Sequence, residues 1–253
     1  MNHAKPASAN SNMTGGSNGI ATMPRIAAIA TLASRLTTFQ KVLPIIHAQV
    51  DHVFVYLDGY STIPSFLENF DRVTARRAED VGNLHCSSRF LCLQELRTPT
   101  VVAIVDDDII YPPDYIDRMT GALQRVEGKA IVGVHGRIFM PPHQSYVRDV
   151  LTFHFTHQLA RPCHVHELGT GTCAFASSYF RIDPREWDRH DMDDVAIAID
   201  AQRQGLPRIA IARPAGWLRP GAESQSDSLW NRILIDDSEH SRRMRTLLGL
   251  YVR

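Results

Sequence analysis

The sequence predicts an α/β fold, with a doubly wound sheet in a single compact domain. Its 253 residues suffice for one large α/β domain. Hydrophobic residues make up 44% of the chain and charged residues 21%, which is the balance of a globular protein. From Arg25 onward, short apolar runs alternate with segments of helical periodicity, which is the pattern of a sheet with crossover helices. No apolar run approaches the ~20 residues that cross a bilayer, so an integral membrane protein is excluded.

The charge balance and the cysteine content further restrict the class of protein. Lys and Arg together number 27, as do Asp and Glu, so no net field attracts nucleic acid or a membrane to the whole surface. Only three of the 27 basic residues are lysine. The arginine excess suits phosphate and carboxylate ligands, but codon usage in a GC-rich genome is the favoured explanation. Four cysteines are too few for a disulfide scaffold, so reduced thiols in a cytoplasmic protein are expected.

The N-terminal segment, residues 1–23, is rich in Asn, Ser, Ala and Gly, and it predicts a disordered leader. The apolar run at residues 26–33 resembles the core of a signal peptide. It is short, however, and Arg35 follows where small cleavage residues would be needed. The folded domain is therefore expected to cover residues 24–253.

The first elements follow in order. Residues 26–31 predict a buried strand, and apolar positions between Leu36 and Ile46 predict a helix that Pro44 should kink or delay. Strands are then expected at residues 53–57, which end at Asp58-Gly59, and at 72–77, followed by a helix at residues 90–96.

The clearest strand covers residues 101–105, because it is apolar on both faces like the centre of a parallel sheet. Three consecutive aspartates follow it, and Pro113 suits the first turn of a helix over residues 113–126. Strands at residues 131–134, 150–155, 173–177 and 208–212 and helices at 191–204 and 229–251 complete the predicted elements. The order of the first half is βαβαβ, as in a doubly wound sheet.

The aspartates after this strand predict a cation site. The carboxyl edge of a parallel sheet is where α/β proteins bind ligands, and Asp106 and Asp108 project to the same side of an extended backbone. Their carboxylates repel one another unless a cation lies between them. Mg²⁺ or Mn²⁺ held by one or two carboxylates and by substrate phosphate oxygens is the usual arrangement. Capping of the next helix is the alternative, but Asp106 and Asp107 lie too early for that role.

Four stretches together carry a family resemblance: Asp106-x-Asp108 behind a strand, Asp58 at the end of the second strand, the loop Gly169-Thr170-Gly171-Thr172, and Asp193-Asp194 at a helix start. In this order they resemble the GT-A nucleotide-sugar glycosyltransferases, above all the bacterial family-two-like enzymes of surface polysaccharide biosynthesis. The resemblance covers residues 25–237. It implies a Rossmann-like, doubly wound mixed sheet, with a nucleotide-sugar half at residues 24–140 and an acceptor half with a C-terminal helix at residues 141–253.

The resemblance also implies roles for individual residues. Asp194 would be the catalytic base and Asp193 would tune it, with Asp in place of the Glu of the family's E-D motif. The implied donor-binding residues are Thr31, Arg35, Asp58, Arg89, Asp106 and Asp107. The implied acceptor-binding residues are Gly169, Thr170, Gly171, Thr172 and Trp217. Asp106 and Asp108 would bind Mn²⁺ or Mg²⁺; the third metal ligand has no clear match, and His240 and Asp227 are candidates.

The resemblance implies transfer of a single hexose-type sugar from a nucleotide diphosphate, with UDP as the first candidate. The acceptor would be a saccharide, free or lipid-linked, and the configuration at the anomeric carbon would be inverted. The Q-x-x-R-W signature of processive synthases is absent. The expected location is the cytoplasm, at the inner face of the membrane. The basic and apolar stretch at residues 242–251 is compatible with peripheral membrane contact, but a helix packed on its own domain is the favoured explanation.

Several alternatives stay open at this stage. A sugar-nucleotide nucleotidyltransferase would need a glycine-rich basic loop after the first strand, which residues 31–35 lack, and a haloacid-type phosphatase would need its nucleophile context near the N-terminus. A non-catalytic relative could bind a nucleotide sugar without transferring it. The acids Asp191, Asp193 and Asp194 could merely cap a helix, Asp58 could be a turn residue, and Arg35 could be a surface arginine. Soft ligands for structural zinc are Cys163, His164, His166 and Cys173.

Overall fold

The computed structural model of the chain describes residues 18–221 and 229–251. The strands in these ranges are β1 (Arg25–Leu32), β2 (His52–Asp58), β3 (Val73–Arg77), β4 (Val101–Asp106), β5 (Ile109–Ile110), β6 (Ile131–Gly133), β7 (Gly136–Phe139), β8 (Val150–Phe153), β9 (Cys163–Val165), β10 (Glu167–Leu168), β11 (Thr172–Ala176), β12 (Arg208–Ala210) and β13 (Arg219–Pro220). The α-helices are α1 (Asn18–Ala21), α2 (Leu36–His47), α3 (Tyr115–Arg125), α4 (Asp193–Arg203), α5 (Leu229–Ile235) and α6 (Ser238–Gly249). Short 3₁₀ helices cover Ala33–Arg35, Ser65–Asn69, Ala78–Val81, His85–Gln94 and Pro184–Glu186.

An eight-stranded mixed sheet organises the chain, in the order β3-β2-β1-β4-β11-β6-β12-β9. Strands β3, β2, β1 and β4 are parallel to one another, whereas β11 runs antiparallel to both β4 and β6. Smaller sheets are formed by β10-β7-β8 and by β13-β5. The predicted α/β class with a large mixed sheet is confirmed.

Side chains of the central strands point alternately to the two faces of the sheet, and a hydrophobic core forms on each face. In β1, Ala27 and Ile29 face the layer that contains α2 and α3, while Ile26 and Ala28 face the layer that contains the His85–Gln94 helix and α4. All four side chains are buried. Burial on both faces explains the continuous apolar runs at β1 and β4.

The strand register brings the predicted acidic residues to one edge. Leu32 of β1 pairs with Asp58 of β2, and Ala30 pairs with Asp106 of β4. Thr172, the first residue of β11, pairs with Val105. The carboxyl ends of three parallel strands and the start of β11 therefore meet.

Several predicted boundaries differ from the structure. Pro44 lies inside α2, which runs through it. The helix expected at residues 90–96 is a 3₁₀ helix that begins at His85, and the expected C-terminal helix is divided into α5 and α6. Ordered structure also begins before residue 24, because α1 lies in the expected leader and Ile20 is buried in the core. Residues 1–17 lie outside the described residues.

The C-terminal helix α6 packs on its own domain. Met244 and Leu247 are completely buried and form a cluster with Val195 and Ala198 of α4. The Met and Leu side chains of residues 242–251 therefore pack against the rest of the domain. Among the helices described, none has the length and apolar character needed to cross a membrane.

Candidate functional site

A cavity of about 870 Å³ opens at the carboxyl edge of β1, β2 and β4. It is lined by all six of the predicted donor-binding residues: Thr31, Arg35, Asp58, Arg89, Asp106 and Asp107. Asp108, the loop Gly169–Thr172, Asp193, Asp194 and His240 also line it. Residues from both halves of the chain therefore meet in one cavity.

The three aspartates after β4 differ in their surroundings. Asp107 is buried, lies 3.3 Å from the Arg35 guanidinium, and burial raises its pKa. Asp108 is partly exposed and lies 3.5 Å from Arg35. Burial, together with the nearby carboxylates of Asp106 and Asp107, raises the pKa of Asp108 to about 7. Arg35 thus faces the acid cluster, which argues against its interpretation as a simple surface arginine.

The donor set fits a divalent cation only in part. Asp106 and Asp108 are crowded carboxylates at the cavity wall, and Mg²⁺ commonly takes one or two carboxylates plus substrate phosphate oxygens. Within residues 18–221 and 229–251, no three His, Cys, Asp or Glu side chains form a group that could hold a metal by themselves. A cation here would therefore depend on ligands from the substrate.

His240 does not join the acid cluster as the predicted third ligand. Its imidazole packs against the ring of Tyr146, with centroids 5.0 Å apart. Asp227, the other candidate, lies outside the described residues. The zinc alternative is not supported either, because Cys173 is buried in the core and the His166 Nδ1 accepts the backbone N–H of Phe139 at 2.9 Å.

Arg89 connects the two halves of the cavity. Its guanidinium is buried and donates to Asp106 Oδ1 at 2.5 Å, to Thr170 Oγ1 at 2.7 Å and to Asp193 Oδ2 at 2.7 Å. The planar fork of arginine suits such a multiple contact. Arg89 was expected to bind the donor directly, but its Nη1 and Nη2 atoms already bind protein groups.

Asp194 is held beside this network. Its Oδ1 accepts hydrogen bonds from the backbone N–H of Thr170 at 2.8 Å and from the Thr170 hydroxyl at 2.7 Å. Burial and the neighbouring Asp193 carboxylate raise the pKa of Asp194. A partly buried carboxylate with a raised pKa and a fixed orientation is suited to general base catalysis.

The helix-cap alternative for these acids is wrong. The N-cap of α4 is Met192, and no side chain caps the helix there. Asp193 is bound to Arg89, Asp194 to Thr170, and Asp191 to Arg189 at 2.7 Å. The carboxylates therefore contact side chains and the glycine-rich loop.

The glycine-rich loop packs directly against the acid cluster. A Cβ at Gly171 would lie 1.8 Å from Asp106 Oδ2. Tyr111 bridges the same two segments, because its hydroxyl donates to Gly171 O at 2.5 Å and accepts from the Asp106 N–H at 2.8 Å. Tyr111 was not predicted from the sequence.

We expect Gly171→Ala to destabilise the protein by about 1–3 kcal/mol, because the added methyl must displace the Asp106 carboxylate or the loop. The free energy of unfolding, measured with urea, checks this. Gly121→Ala is the matched control: its Cβ would meet only Arg125 Nη1 at 3.8 Å, inside α3. The control should be about 0.5–1 kcal/mol more stable than wild type. Equal effects of the two substitutions would contradict the close packing of Gly171.

Trp217 lies outside the cavity, contrary to the acceptor-binding prediction. Its indole N–H donates to Asp114 Oδ1 at 2.9 Å, and the Arg118 guanidinium stacks 4.1 Å from a ring centroid. Its ring also packs against Tyr115. Trp217 is partly buried and packs over the start of α3.

A buried charged cluster lies near Asp194. Glu167 of β10 accepts from the Tyr146 hydroxyl at 2.7 Å and from Arg137 Nη1 at 3.2 Å. Burial raises the pKa of Glu167 to about 7. Arg137 and Tyr146 line the cavity, while Glu167 supports them from behind. No local motif signals this cluster, since its members come from separate strands and a loop.

Because of Glu167, the free energy of unfolding should depend on pH. Its folded-state pKa of about 7 exceeds the ordinary value of 4.5, so the folded protein retains a proton that the unfolded chain releases. The contribution of Glu167 to the free energy of unfolding should therefore fall, by roughly 1–3 kcal/mol, as pH rises from 4.5 to 7. Urea unfolding across this range should show a flatter profile for Glu167→Gln than for wild type. A profile as steep as that of wild type would contradict the assignment.

The remaining donor-side residues line the same wall. Thr31 is buried, and its hydroxyl donates to the backbone carbonyl of Leu32 at 3.5 Å. Asp58 lies 3.3 Å from His85 Nδ1, and both residues line the cavity, so Asp58 is more than a turn residue. His85 was not predicted; the preceding Gly82-Asn83 pair, typical of left-handed backbone, was the available signal.

Comparison with protein families and with curated proteins does not identify the function of this site. No protein-family model matches the chain, and no curated protein matches it. What the cavity does must therefore be inferred from the side chains that line it.

Proposed function

We propose that the protein is a metal-dependent GT-A glycosyltransferase that moves one sugar from a nucleotide diphosphate, with UDP the first candidate, to a saccharide acceptor. The observation that carries this proposal is the Arg89 network. It joins Asp106, in the acid cluster that would bind a diphosphate through a divalent cation, to Thr170 and Asp193 beside the base candidate Asp194. The family resemblance adds a biological context to the proposal. The protein would act in bacterial surface polysaccharide assembly, in the cytoplasm at the inner face of the membrane.

The donor would lie against the ends of β1, β2 and β4. Asp58 and Thr31 line the part of the cavity that we assign to the nucleoside. Asp106 and Asp108 would hold Mg²⁺ or Mn²⁺, which neutralises charge on a departing diphosphate. Arg35 adds a positive charge beside Asp107 and Asp108.

The acceptor hydroxyl would be activated by Asp194. Thr170 fixes Asp194 Oδ1 through two hydrogen bonds, and the raised pKa brings this carboxylate closer to the pKa that suits a base near neutral pH. Asp193 is bound to Arg89, so its role is to position the network. A base on the acceptor side favours inversion at the anomeric carbon, which NMR of the product checks.

The nucleotidyltransferase alternative has less support. Residues after β1 form a 3₁₀ helix, Ala33–Arg35, without a glycine. Such enzymes cradle phosphates with glycine-rich backbone at this position. A non-catalytic nucleotide-sugar-binding relative would share the donor contacts but would have no need of Asp194.

A thermal-shift panel of UDP, GDP, CMP and TDP, with and without Mn²⁺, tests the donor assignment. One diphosphate at ~100 times its Kd should stabilise the protein by ~2.7 kcal/mol, and the effect should require Mn²⁺. Asp108→Asn should remove the metal-dependent part of the shift. Shifts by none of the nucleotides, or equal shifts in EDTA, would contradict the metal-dependent assignment.

A further inference from the structure

The segment from Gly82 to His85 has an unusual backbone conformation. Asn83 has φ of +42° and His85 has φ of +48°, next to Gly82 at +110°. Left-handed backbone is uncommon for residues with side chains, although Asn and His adopt it more readily than most. Two such residues, separated by Leu84 alone, form a strained part of the chain beside the cavity.

Packing of the His85 side chain does not account for this strain. The side chain is 61% exposed, so its own burial contributes little. The backbone around it is held by neighbours instead. The Leu84 N–H donates to Ser88 Oγ at 3.2 Å, and Cys86 Sγ and Ser87 Oγ each donate to the backbone carbonyl of His190 at 3.1 Å. Strained residues held in place by their surroundings are concentrated at functional sites.

The left-handed backbone at His85 places its imidazole against Asp58. His85 Nδ1 lies 3.3 Å from Asp58 Oδ2, and both side chains line the cavity. Because the carboxylate accepts the hydrogen bond, Nδ1 is the donor and carries a proton. Asp58, at the end of β2, thus has one of its oxygens fixed by an imidazole that the backbone holds in place.

We propose that His85 is a positioning residue for nucleobase recognition: it orients the Asp58 carboxylate to accept the ring N–H of the base of the nucleotide donor. This inference rests on the proposed function. Uracil, thymine and guanine carry a ring N–H, whereas cytosine and adenine do not. A carboxylate that is already oriented loses less freedom on binding, and a site built to accept an N–H discriminates against a base without one.

Two glycine substitutions separate the strain from the hydrogen bond. Glycine adopts left-handed backbone without steric cost, so His85→Gly and Asn83→Gly should both keep the fold and both raise the melting temperature. Asn83 is exposed and lies outside the cavity lining, which makes it the matched control. Only His85→Gly removes the hydrogen bond to Asp58.

Isothermal titration with UDP and CDP in Mg²⁺ gives the decisive readout. We expect His85→Gly to bind UDP about tenfold more weakly than wild type and to lose most of the preference for UDP over CDP. In turnover assays the KM for the donor should rise while kcat stays within about twofold. Asn83→Gly should match wild type in all of these quantities. His85→Asn, whose amide can donate to Asp58 and which tolerates this backbone, should recover part of the UDP affinity.

The outcomes separate this inference from the function on which it rests. If wild type binds none of UDP, GDP and CDP in Mg²⁺, the proposed function is wrong and the role of His85 fails with it. If wild type binds UDP and His85→Gly binds it equally well, the positioning role is overturned and the function stands. If His85→Gly weakens UDP and CDP by the same factor, recognition of the ring N–H is overturned.

Discussion

Asp194→Asn is expected to lower kcat by about 10²–10⁴-fold while leaving the Kd for the nucleotide diphosphate within about twofold of wild type. The amide keeps an oxygen that can accept both hydrogen bonds from Thr170, so the loop should stay in place. It cannot take a proton from the acceptor hydroxyl. Steady-state kinetics with a saturating donor and calorimetric titration of the nucleotide measure the two quantities separately.

Asp200→Asn on the same helix is the control for this substitution. Asp200 accepts the indole N–H of Trp187 at 2.8 Å and is not part of the cavity lining. It should leave kcat and Kd unchanged. Undiminished turnover in Asp194→Asn, with a large loss in Asp193→Asn, would assign the base to Asp193 instead. Donor binding without turnover in wild type, with every acceptor tried, would favour the non-catalytic relative.

Arg89→Met is expected to be the most destabilising single substitution at the cavity. Arg89 is the partner of the carboxylates of Asp106 and Asp193, and its removal leaves the buried Asp193 without its counter-charge. Breaking a buried ion pair in this way costs about 3–5 kcal/mol, or ~6–20 °C in Tm for a chain of this size. Calorimetry and urea unfolding measure it, and turnover should be lost because the donor and base sides are no longer connected.

A double variant separates charge from packing in this prediction. Arg89→Met with Asp193→Asn removes the guanidinium and the most buried of its acids together, so it should recover part of the lost stability without recovering activity. Arg76→Met breaks the exposed pair with Glu95 and should cost only about 0–1 kcal/mol. Equal costs for Arg89→Met and Arg76→Met would show that the Arg89 network contributes no more than a surface pair.

The acid cluster and the main strands were predictable from local sequence. Residues 101–105 are apolar on both faces, and only the interior of a sheet accommodates such a run, so the aspartates behind it had to emerge at the sheet edge. The position of Asp58 at the sheet edge was predictable by the same argument, because Asp58 is the last residue of β2. Gly171 belonged to a recognisable loop, although its contact with Asp106 did not follow from the spacing.

Other residues could not be assigned in this way. Arg89 was expected to contact the donor, yet its Nη1 and Nη2 atoms bind Asp106, Thr170 and Asp193, which lie 17, 81 and 104 residues away along the chain. Trp217 and His240 are residue types common in binding sites, but each packs against another part of the protein. Residue type indicates what a side chain can do, and only its neighbours select which of those roles it takes.

Periodicity and composition along the chain thus establish the α/β class, the central strands and the place where carboxylates gather, because burial acts on each short segment according to its own apolar pattern. Long-range packing establishes the rest: the antiparallel insertion of β11 between β4 and β6, the connection of Asp106 to Asp193 through Arg89, and the contact of His85 with Asp58. These depend on the register between distant strands and on side chains that compete for the same partner. Neither property is encoded within a single window of sequence.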